Sequence, residues 1–204
     1  MGKGTSVHFL PEQGAMTGYS WVRGESGFSL MEMLVVVSLV AIGAGIAMPL
    51  IGQWGPALQS DGALRVVMGL LVQARETAIT QRRDMQVTFT NGNQVQIIRE
   101  EVPPPATTLI ANQFLESNVQ FALIPGVPDT PDAFGNANPI SFGAAATIQF
   151  SPDGMLLDQA GNPVNGTVFV AATGVKVSAR AATIMGATGR IRGYRWNGVF
   201  WKLI

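Results

Sequence analysis

The hydrophobic pattern first predicts a helix that crosses a membrane. Residues 33–60 carry no charged side chain, and residues 33–52 are mostly Leu, Val, Ile, Ala and Met. Twenty helical residues rise about 30 Å, which is the thickness of the hydrocarbon core of a bilayer. We therefore predict a transmembrane helix at about 33–52. Pro49 lacks a backbone N–H and strains the preceding turn, so we also expect a kink or local melting near residues 44–49.

From Ala57 onward the apolar residues recur at helical spacing, with charged residues between them. This pattern predicts that the helix continues to residues 83–84, so that one long helix covers residues 28–84. Its first half is apolar on all sides, whereas its second half has one apolar stripe. A β-sheet packed on that stripe would remove it from water.

Residues 85–204 show the alternation of polar and apolar positions that is typical of β-strands. Residues 85–90 and 94–99 flank the turn 91–93 (Asn-Gly-Asn), which predicts a β-hairpin. Four prolines within residues 125–142 predict a long loop. Further strands are predicted at 119–124, 147–151, 167–172, 176–179, 182–185, 190–196 and 199–203. The predicted fold class is α+β: a long N-terminal α-helix packed on a C-terminal antiparallel domain of one sheet or two.

The charges are balanced overall but unevenly distributed. The chain has 13 Lys and Arg against 13 Asp and Glu, yet residues 99–173 contain seven acids and one base, and residues 174–204 contain six bases and no acid. Such blocks can neutralise each other as neighbours, or they can leave a basic face free for an anion. In a two-sided domain we expect them on opposite edges or faces, where stacked subunits could present them to each other.

The segment 27–32 (Gly-Phe-Ser-Leu-Met-Glu) places a lone carboxylate, Glu32, at the front of the apolar helix. A carboxylate within a membrane helix is costly unless it gains a partner. The segment and the helix after it resemble the class III signal of type IV pilins and type II secretion pseudopilins. The resemblance implies cleavage between Gly27 and Phe28 by a prepilin peptidase, N-methylation of Phe28, and pairing of Glu32 with the new amine of a neighbouring subunit. Residues 1–27 are then a leader, or residues 16–27 if Met16 is the start.

Three further motifs resemble the GspH/FimT minor pseudopilins and occur in the same order as in that family. They are residues 71–79 (LVQARETAI), 148–154 (IQFSPDG) and 189–192 (GRIR). The resemblance implies a structural subunit of the pseudopilus of a type II secretion system. Such a subunit is anchored in the bacterial inner membrane by a single span, carries its globular domain in the periplasm, and has other pseudopilins as partners.

The alternative is a FimT-like minor pilin of a type IV pilus that binds DNA through its basic C-terminal tract. Tyr194, Trp196 and Trp201 are interleaved with the basic residues, as in strands that contact phosphates and stack on bases. The chain departs from the DNA-binding branch at Tyr194, where that branch is expected to have Cys. The residues predicted to contact DNA are Arg190, Arg192, Arg195 and Lys202.

Composition argues against an enzyme. The chain has no Cys, and its single His is His8, in the predicted leader. Without a thiol or an imidazole the mature chain cannot form a typical zinc site or a Ser/His triad. The loop acids Asp129, Asp132, Asp153 and Asp158 allow a calcium site, but their spacing matches no calcium loop and solvated acids are favoured. We predict no catalytic residue, metal or cofactor.

Overall fold

The computed structural model describes Gly2 and residues 27–115, 118–143 and 147–204. Within the helix, the side chains of residues 47–54 are outside this description. The rest of the predicted leader, with Met16 and His8, lies outside the described residues. The chain divides into two compact units, Met1–Ala44 and Gly45–Ile204.

Helix α1 extends over Leu30–Gln81 and is closed at both ends by recognisable caps. At its start the Ser29 hydroxyl accepts a hydrogen bond from the backbone N–H of Glu32 at 3.2 Å, which is the bond that an N-cap serine makes. At its end Arg82 has a positive φ of 50°, and the N–H of Arg83 donates to the Ala78 carbonyl at 3.2 Å. These contacts form a Schellman motif with Arg in place of the usual Gly. The predicted long helix is confirmed, but it begins at Leu30, two residues after residue 28, and ends at Gln81, three residues before residue 84.

The two parts of α1 differ in exposure. Every side chain of residues 27–46 is exposed, whereas Leu64, Val67 and Leu71 are fully buried. Among the residues whose side chains are described, no helical segment is both long and apolar enough to cross a membrane. The predicted span 33–52 runs into residues 47–54, whose side chains are not described. The backbone is helical at Pro49, and the kink there stays a prediction.

The strands of the described residues form two antiparallel sheets. The predicted fold class had allowed either one sheet or two. Sheet A has the order β3-β2-β1-β6-β7, and sheet B has the order β11-β10-β9-β8-β4, with β5 paired to β8. The strands are β1 (Met85–Thr90), β2 (Gln94–Glu100), β3 (Thr107–Phe114), β4 (Val119–Phe121), β5 (Ile140–Ser141), β6 (Thr147–Phe150), β7 (Leu156–Leu157), β8 (Gly166–Ala172), β9 (Arg180–Met185), β10 (Arg190–Trp196) and β11 (Trp201–Leu203).

One hydrophobic core lies between the stripe of α1 and both sheets. It contains buried residues of the helix such as Leu64 and Leu71, together with Val87 of sheet A and Ile184 of sheet B. The predicted packing of the helix on antiparallel sheets is therefore confirmed. A second, smaller cluster lies on the other side of sheet B and contains Trp196. Its remaining buried members are Ile124, Val127, Ala171 and Ala179.

Several strand predictions need correction. The predicted strand 176–179 is a short 3-10 helix, Lys176–Ser178, because the Ser178 hydroxyl accepts from the Ala172 N–H at 2.9 Å and donates to the Val175 carbonyl at 2.6 Å. Strand β3 was not predicted, since its residues do not alternate in burial. The predicted loop 125–142 contains β5 and a second short 3-10 helix, Pro131–Ala133.

Candidate functional sites at the helix start and on strand β10

The predicted processing segment is exposed at the start of α1. Gly27 and Phe28 precede the first helical turn, and 76% of Phe28 is exposed. Glu32 lies in the first turn, where a negative charge interacts favourably with the helix dipole. Ser29 and Glu32 have the spacing of a capping box, in which the serine side chain caps the helix. The segment thus combines an accessible Gly27–Phe28 peptide with an exposed carboxylate one turn away.

The predicted basic tract is divided between the two faces of sheet B. Arg195 lies opposite Arg180 of β9 and Lys202 of β11, and directly paired residues of an antiparallel sheet point to the same side. Arg180 and Arg195 both approach Asp61 of α1, so this is the helix-facing side. Arg190 and Arg192 are five and three positions before Arg195, and because these separations are odd they lie on the opposite, outer face. The structure therefore does not bring the four basic residues into one tract.

On the outer face, the carboxylate of Asp132 lies within hydrogen-bond distance of three side-chain donors from strands β9 and β10. It accepts hydrogen bonds from Thr183 Oγ1 at 2.7 Å, Tyr194 Oη at 2.8 Å and Arg192 Nη1 at 3.2 Å. Asp132 itself has a positive φ of 54°, an unusual backbone conformation for a residue with a side chain. Asp132 thus links the proline-rich loop to strands β9 and β10 of sheet B.

The electrostatics of this contact follow from its partners. Burial by itself raises the pKa of Asp132, but the hydrogen bonds from Thr183 and Tyr194 and the charge of Arg192 outweigh burial and lower the pKa below 3.8. Burial and the hydrogen bond to Asp132 raise the pKa of Tyr194 above 10.0. Asp132 is therefore ionised and Tyr194 is protonated at neutral pH.

An aromatic cleft lies beside Asp132, between the proline-rich loop and the hairpin formed by β10 and β11. Its volume is about 400 Å³. Trp196 and Trp201 meet with ring centroids 5.6 Å apart, and Trp201 Nε1 donates to the Pro128 carbonyl at 2.7 Å. The cleft is lined by Pro128, Thr130, Pro131, Asp132, Tyr194, Trp196, Val199, Phe200 and Trp201.

On the helix-facing side, Asp61 of α1 holds the fully buried Arg180. Arg180 Nε donates to Asp61 Oδ1 at 2.5 Å, and only 1% of the Arg180 side chain is exposed. Its remaining donors reach the carbonyls of Val177 at 2.8 Å, Ala179 at 3.0 Å and Ala57 at 3.1 Å. Every nitrogen of this guanidinium therefore has an acceptor, which is the condition for burying a charge.

Asp61 is surrounded by more positive charge than it can neutralise. Arg195 Nη1 lies 3.9 Å from Asp61 Oδ2. Burial raises the pKa of Asp61, but the hydrogen bond and charge of Arg180 and the charges of Arg195 and Arg65 outweigh it and lower the pKa below 3.8. No local pattern in the sequence indicates these contacts, because Asp61 and Arg180 are 119 positions apart.

The three short family-like motifs meet at Arg75. Its Nε donates to the Gly154 carbonyl at 3.1 Å and its Nη2 to the Thr188 carbonyl at 3.3 Å. A Cβ at Gly189, whose φ is +60°, would lie 2.0 Å from the Gly154 carbonyl oxygen, so only glycine fits there. The motifs thus form one junction between the helix and two turns.

The loop acids are not arranged as a metal site in the described part of the chain. Asp129 accepts from the Ala137 N–H, and Asp158 accepts from the N–H groups of Ala160 and Asn162. No group of three or more His, Cys, Asp or Glu suited to a metal ion occurs among the described residues. The expectation that acidic and basic blocks lie on opposite faces is wrong for Asp132, because it contacts Arg192 directly.

Comparisons with known proteins identify the N-terminal segment. The family model described as "Prokaryotic N-terminal methylation motif" matches residues 22–48. Among solved structures, the chain is similar to the type IV minor pilin FimU of Pseudomonas aeruginosa, with a TM-score of 0.47 and 16% identity, covering 70% of this chain and 91% of that chain. It is also similar to the minor pseudopilin EpsH from the Type 2 Secretion System of Vibrio cholerae, with a TM-score of 0.46 and 14% identity, covering 70% of this chain and 99% of that chain. Curated proteins gave no significant match. The N-terminal segment of this chain is therefore a prokaryotic N-terminal methylation motif, which confirms the class III prepilin signal predicted around residues 27–32.

Proposed function

We propose that this chain is a minor pseudopilin of a type II secretion system, a structural subunit of the periplasmic pseudopilus. A prepilin peptidase cleaves between Gly27 and Phe28 and Phe28 is N-methylated. The inner membrane holds the subunit through α1, with the β-domain in the periplasm. The observation that carries the proposal is the methylation motif at residues 22–48, whose described helical part is apolar and exposed on all sides.

The exposed apolar start of α1 needs a nonpolar environment. More than half of the surface of each of Leu30, Val35, Leu39 and Val40 is exposed. Burying such side chains stabilises by about 1.5–3 kcal/mol each, so lipid or neighbouring helices are strongly favoured over water. A bundle of helices in a filament core and a bilayer both supply this environment, which suits a subunit that moves from one to the other.

Glu32 then acts in assembly. Cleavage produces a positively charged amine at Phe28, and in the apolar filament core this amine and the Glu32 carboxylate of a neighbour can pair. An unpaired charge is costly in such a medium, so only the register that pairs the two charges is stable. Glu32 is exposed in the single chain, with its carboxylate accessible to a neighbour.

The test is Glu32→Ala in cells that assemble the filament, with Glu76→Ala as a control that removes one exposed carboxylate elsewhere on α1. We expect both variants to insert in the membrane and to be cleaved before Phe28, as read by mass spectrometry of the N-terminus. Only Glu32→Ala should be missing from sheared filaments. Normal assembly of Glu32→Ala, or an uncleaved N-terminus in the wild-type chain, would contradict the proposal.

The DNA-binding alternative is less favoured because the four predicted contact residues are divided between the two faces of sheet B, and one residue on each face already contacts a carboxylate of the chain. Arg192 is 3.2 Å from Asp132 and Arg195 is 3.9 Å from Asp61. Titration of the full chain in neutral detergent with duplex DNA at two salt concentrations distinguishes the two functions. Binding that weakens with salt and is lost in Arg190→Gln/Arg192→Gln would support DNA uptake. No binding at low salt is the result expected for a secretion subunit.

A further inference from the structure

Three basic residues form one cross-strand row on the helix-facing side of sheet B. Arg195 of β10 is paired directly with Arg180 of β9 on one side and with Lys202 of β11 on the other. Side chains that are directly opposite in an antiparallel sheet are about 5 Å apart at Cβ, and like charges at such positions are destabilising. Arg65 of α1 lies four residues after Asp61, so the two side chains are neighbours on one face of the helix, and it adds a fourth positive charge there.

The row is neutralised at one end only. Asp61 forms a short ion pair with the buried Arg180 and a long one of 3.9 Å with Arg195. Among the described residues, Lys202 and Arg65 form no ion pair, so that four cations face one carboxylate there. The packing of the domain does not need this excess, because only Arg180 has an interior role.

The free end of the row is open to solvent. Nearly half of the Arg195 side chain, 48%, is exposed, and Lys202 and Arg65 are exposed as well. These three residues offer only hydrogen-bond donors and positive charge. Donors without acceptors select an anion, and guanidinium and ammonium groups together are well suited to the oxygens of a phosphate group.

The row lies at the end of the domain that is closest to the predicted membrane span. Arg180 binds the carbonyl of Ala57 and the carboxylate of Asp61, which are five and nine residues beyond residue 52. At 1.5 Å per residue these contacts lie about 8–14 Å along the helix from the predicted end of the span. A phosphate of the lipid headgroups is therefore within reach of long basic side chains near Asp61.

We propose that Arg195, Lys202 and Arg65 form a binding site for a phosphate group, supplied by an anionic lipid headgroup of the membrane that holds the helix. The source of the phosphate rests on the proposed membrane anchorage, whereas the site itself does not. In this site the headgroup supplies the negative charge that the row lacks. It orients the β-domain on the bilayer before the subunit enters a filament.

The experiment uses the full chain in neutral detergent micelles doped with phosphatidylglycerol or phosphatidylcholine, with lipid retention counted by native mass spectrometry. We expect selective retention of phosphatidylglycerol, weakened about tenfold in Arg195→Gln/Lys202→Gln. The matched control is Arg82→Gln/Arg190→Gln, which removes two exposed charges elsewhere and should retain the lipid as the wild type does. An equal loss in both double variants, or no preference for phosphatidylglycerol, would overturn the proposal.

A second arm separates the sources of the phosphate. Sodium phosphate should raise the thermal unfolding midpoint of the wild-type chain more than that of Arg195→Gln/Lys202→Gln if the site accepts the free anion. A phosphate response without selective lipid retention would overturn the lipid source and leave a free phosphate as the ligand.

Two measurements distinguish a failure of the phosphate site from misfolding of the double variant and from failure of the proposed function. In the absence of ligand Arg195→Gln/Lys202→Gln should unfold at about the same temperature as the wild type, because the loss of the long Arg195–Asp61 contact and the removal of like-charge repulsion oppose each other. Lipid retention is measured on the uncleaved chain, so failure of cleavage or of filament assembly contradicts the proposed function and leaves this site standing.

Discussion

The two faces of strand β10 each carry an arginine bound to a distant carboxylate, yet they differ in charge balance. On the outer face Asp132 meets one cation, Arg192, and two neutral donors. On the helix-facing side Asp61 meets the buried Arg180 and the additional charges of Arg195 and Arg65. The outer contact fastens a loop, whereas the inner contact buries a charge in the domain and leaves positive charge beside it.

One basic stretch of sequence can therefore have two roles. Alternation along β10 places Arg190 and Arg192 on one side of the sheet and Arg195 on the other. The partner that each meets then depends on what covers that side: a loop on the outer face and the helix on the inner one. Charge counted along the chain therefore does not measure charge available on a surface.

The largest expected effect comes from breaking the inner contact. Asp61→Asn leaves the guanidinium of Arg180 buried without its counter-charge, and removing one partner of a buried ion pair costs about 3–5 kcal/mol. Because about a quarter of the Asp61 side chain is exposed, we expect the lower end, about 3 kcal/mol. Urea unfolding of the full chain in detergent measures the loss. A loss no larger than that of Asp132→Asn would remove the distinction between the two faces.

A smaller effect is expected on the outer face. Asp132→Asn keeps the shape of the side chain but weakens its bonds to Thr183, Tyr194 and Arg192, which should cost about 1–2 kcal/mol. The loop should loosen, and the fluorescence of Trp196 and Trp201 beside it should change. The matched control is Asp129→Asn, in the same loop, whose carboxylate accepts one hydrogen bond among the described residues, from the Ala137 N–H. Equal effects of the two substitutions would show that Asp132 does not fasten the loop.

The pH dependence of the free energy of unfolding tests the carboxylate contacts on both faces. Both Asp61 and Asp132 have pKa values below 3.8 in the folded chain, so the unfolded chain binds more protons there. Their stabilisation is present above the unfolded pKa and is lost as pH falls through the folded pKa values. We expect the urea concentration at the midpoint of unfolding to decrease as the pH is lowered below about 4. In each Asn variant this midpoint should depend less steeply on pH. A profile unchanged by both substitutions would contradict these charge contacts.

The smallest effect should come from the exposed end of the outer face. Arg190 forms no ion pair among the described residues, and its guanidinium donates a weak hydrogen bond to Met185 Sδ at 4.0 Å. Arg190→Gln should therefore change the free energy of unfolding by no more than about 0.5 kcal/mol. Urea unfolding beside Arg192→Gln measures the contrast, and a loss as large as that of Arg192→Gln would refute it.

Local signals predicted the fold well wherever the partner of a residue is near in sequence. The hairpin of β1 and β2 has the expected register, with Thr90 opposite Gln94, because the Asn-Gly turn determines it. The predicted strand at 176–179 was wrong because Ser178 bonds to Ala172 and Val175 and closes a 3-10 turn. Strand β3 was missed because an edge strand with one neighbour has little reason to alternate in burial.

Three features follow from the amino-acid sequence alone: the N-terminal methylation motif, the long helix with its apolar start, and the α+β class. These features depend on residues within one or two helical turns or one hairpin, where spacing alone decides which side chains are neighbours. Only the tertiary structure decided how the basic C-terminal residues are used. Asp61 and Arg180 are 119 positions apart and Asp132 and Arg192 are 60 apart, so no periodicity joins them. The packing of helix and loop on opposite sides of sheet B brings each carboxylate to its arginine.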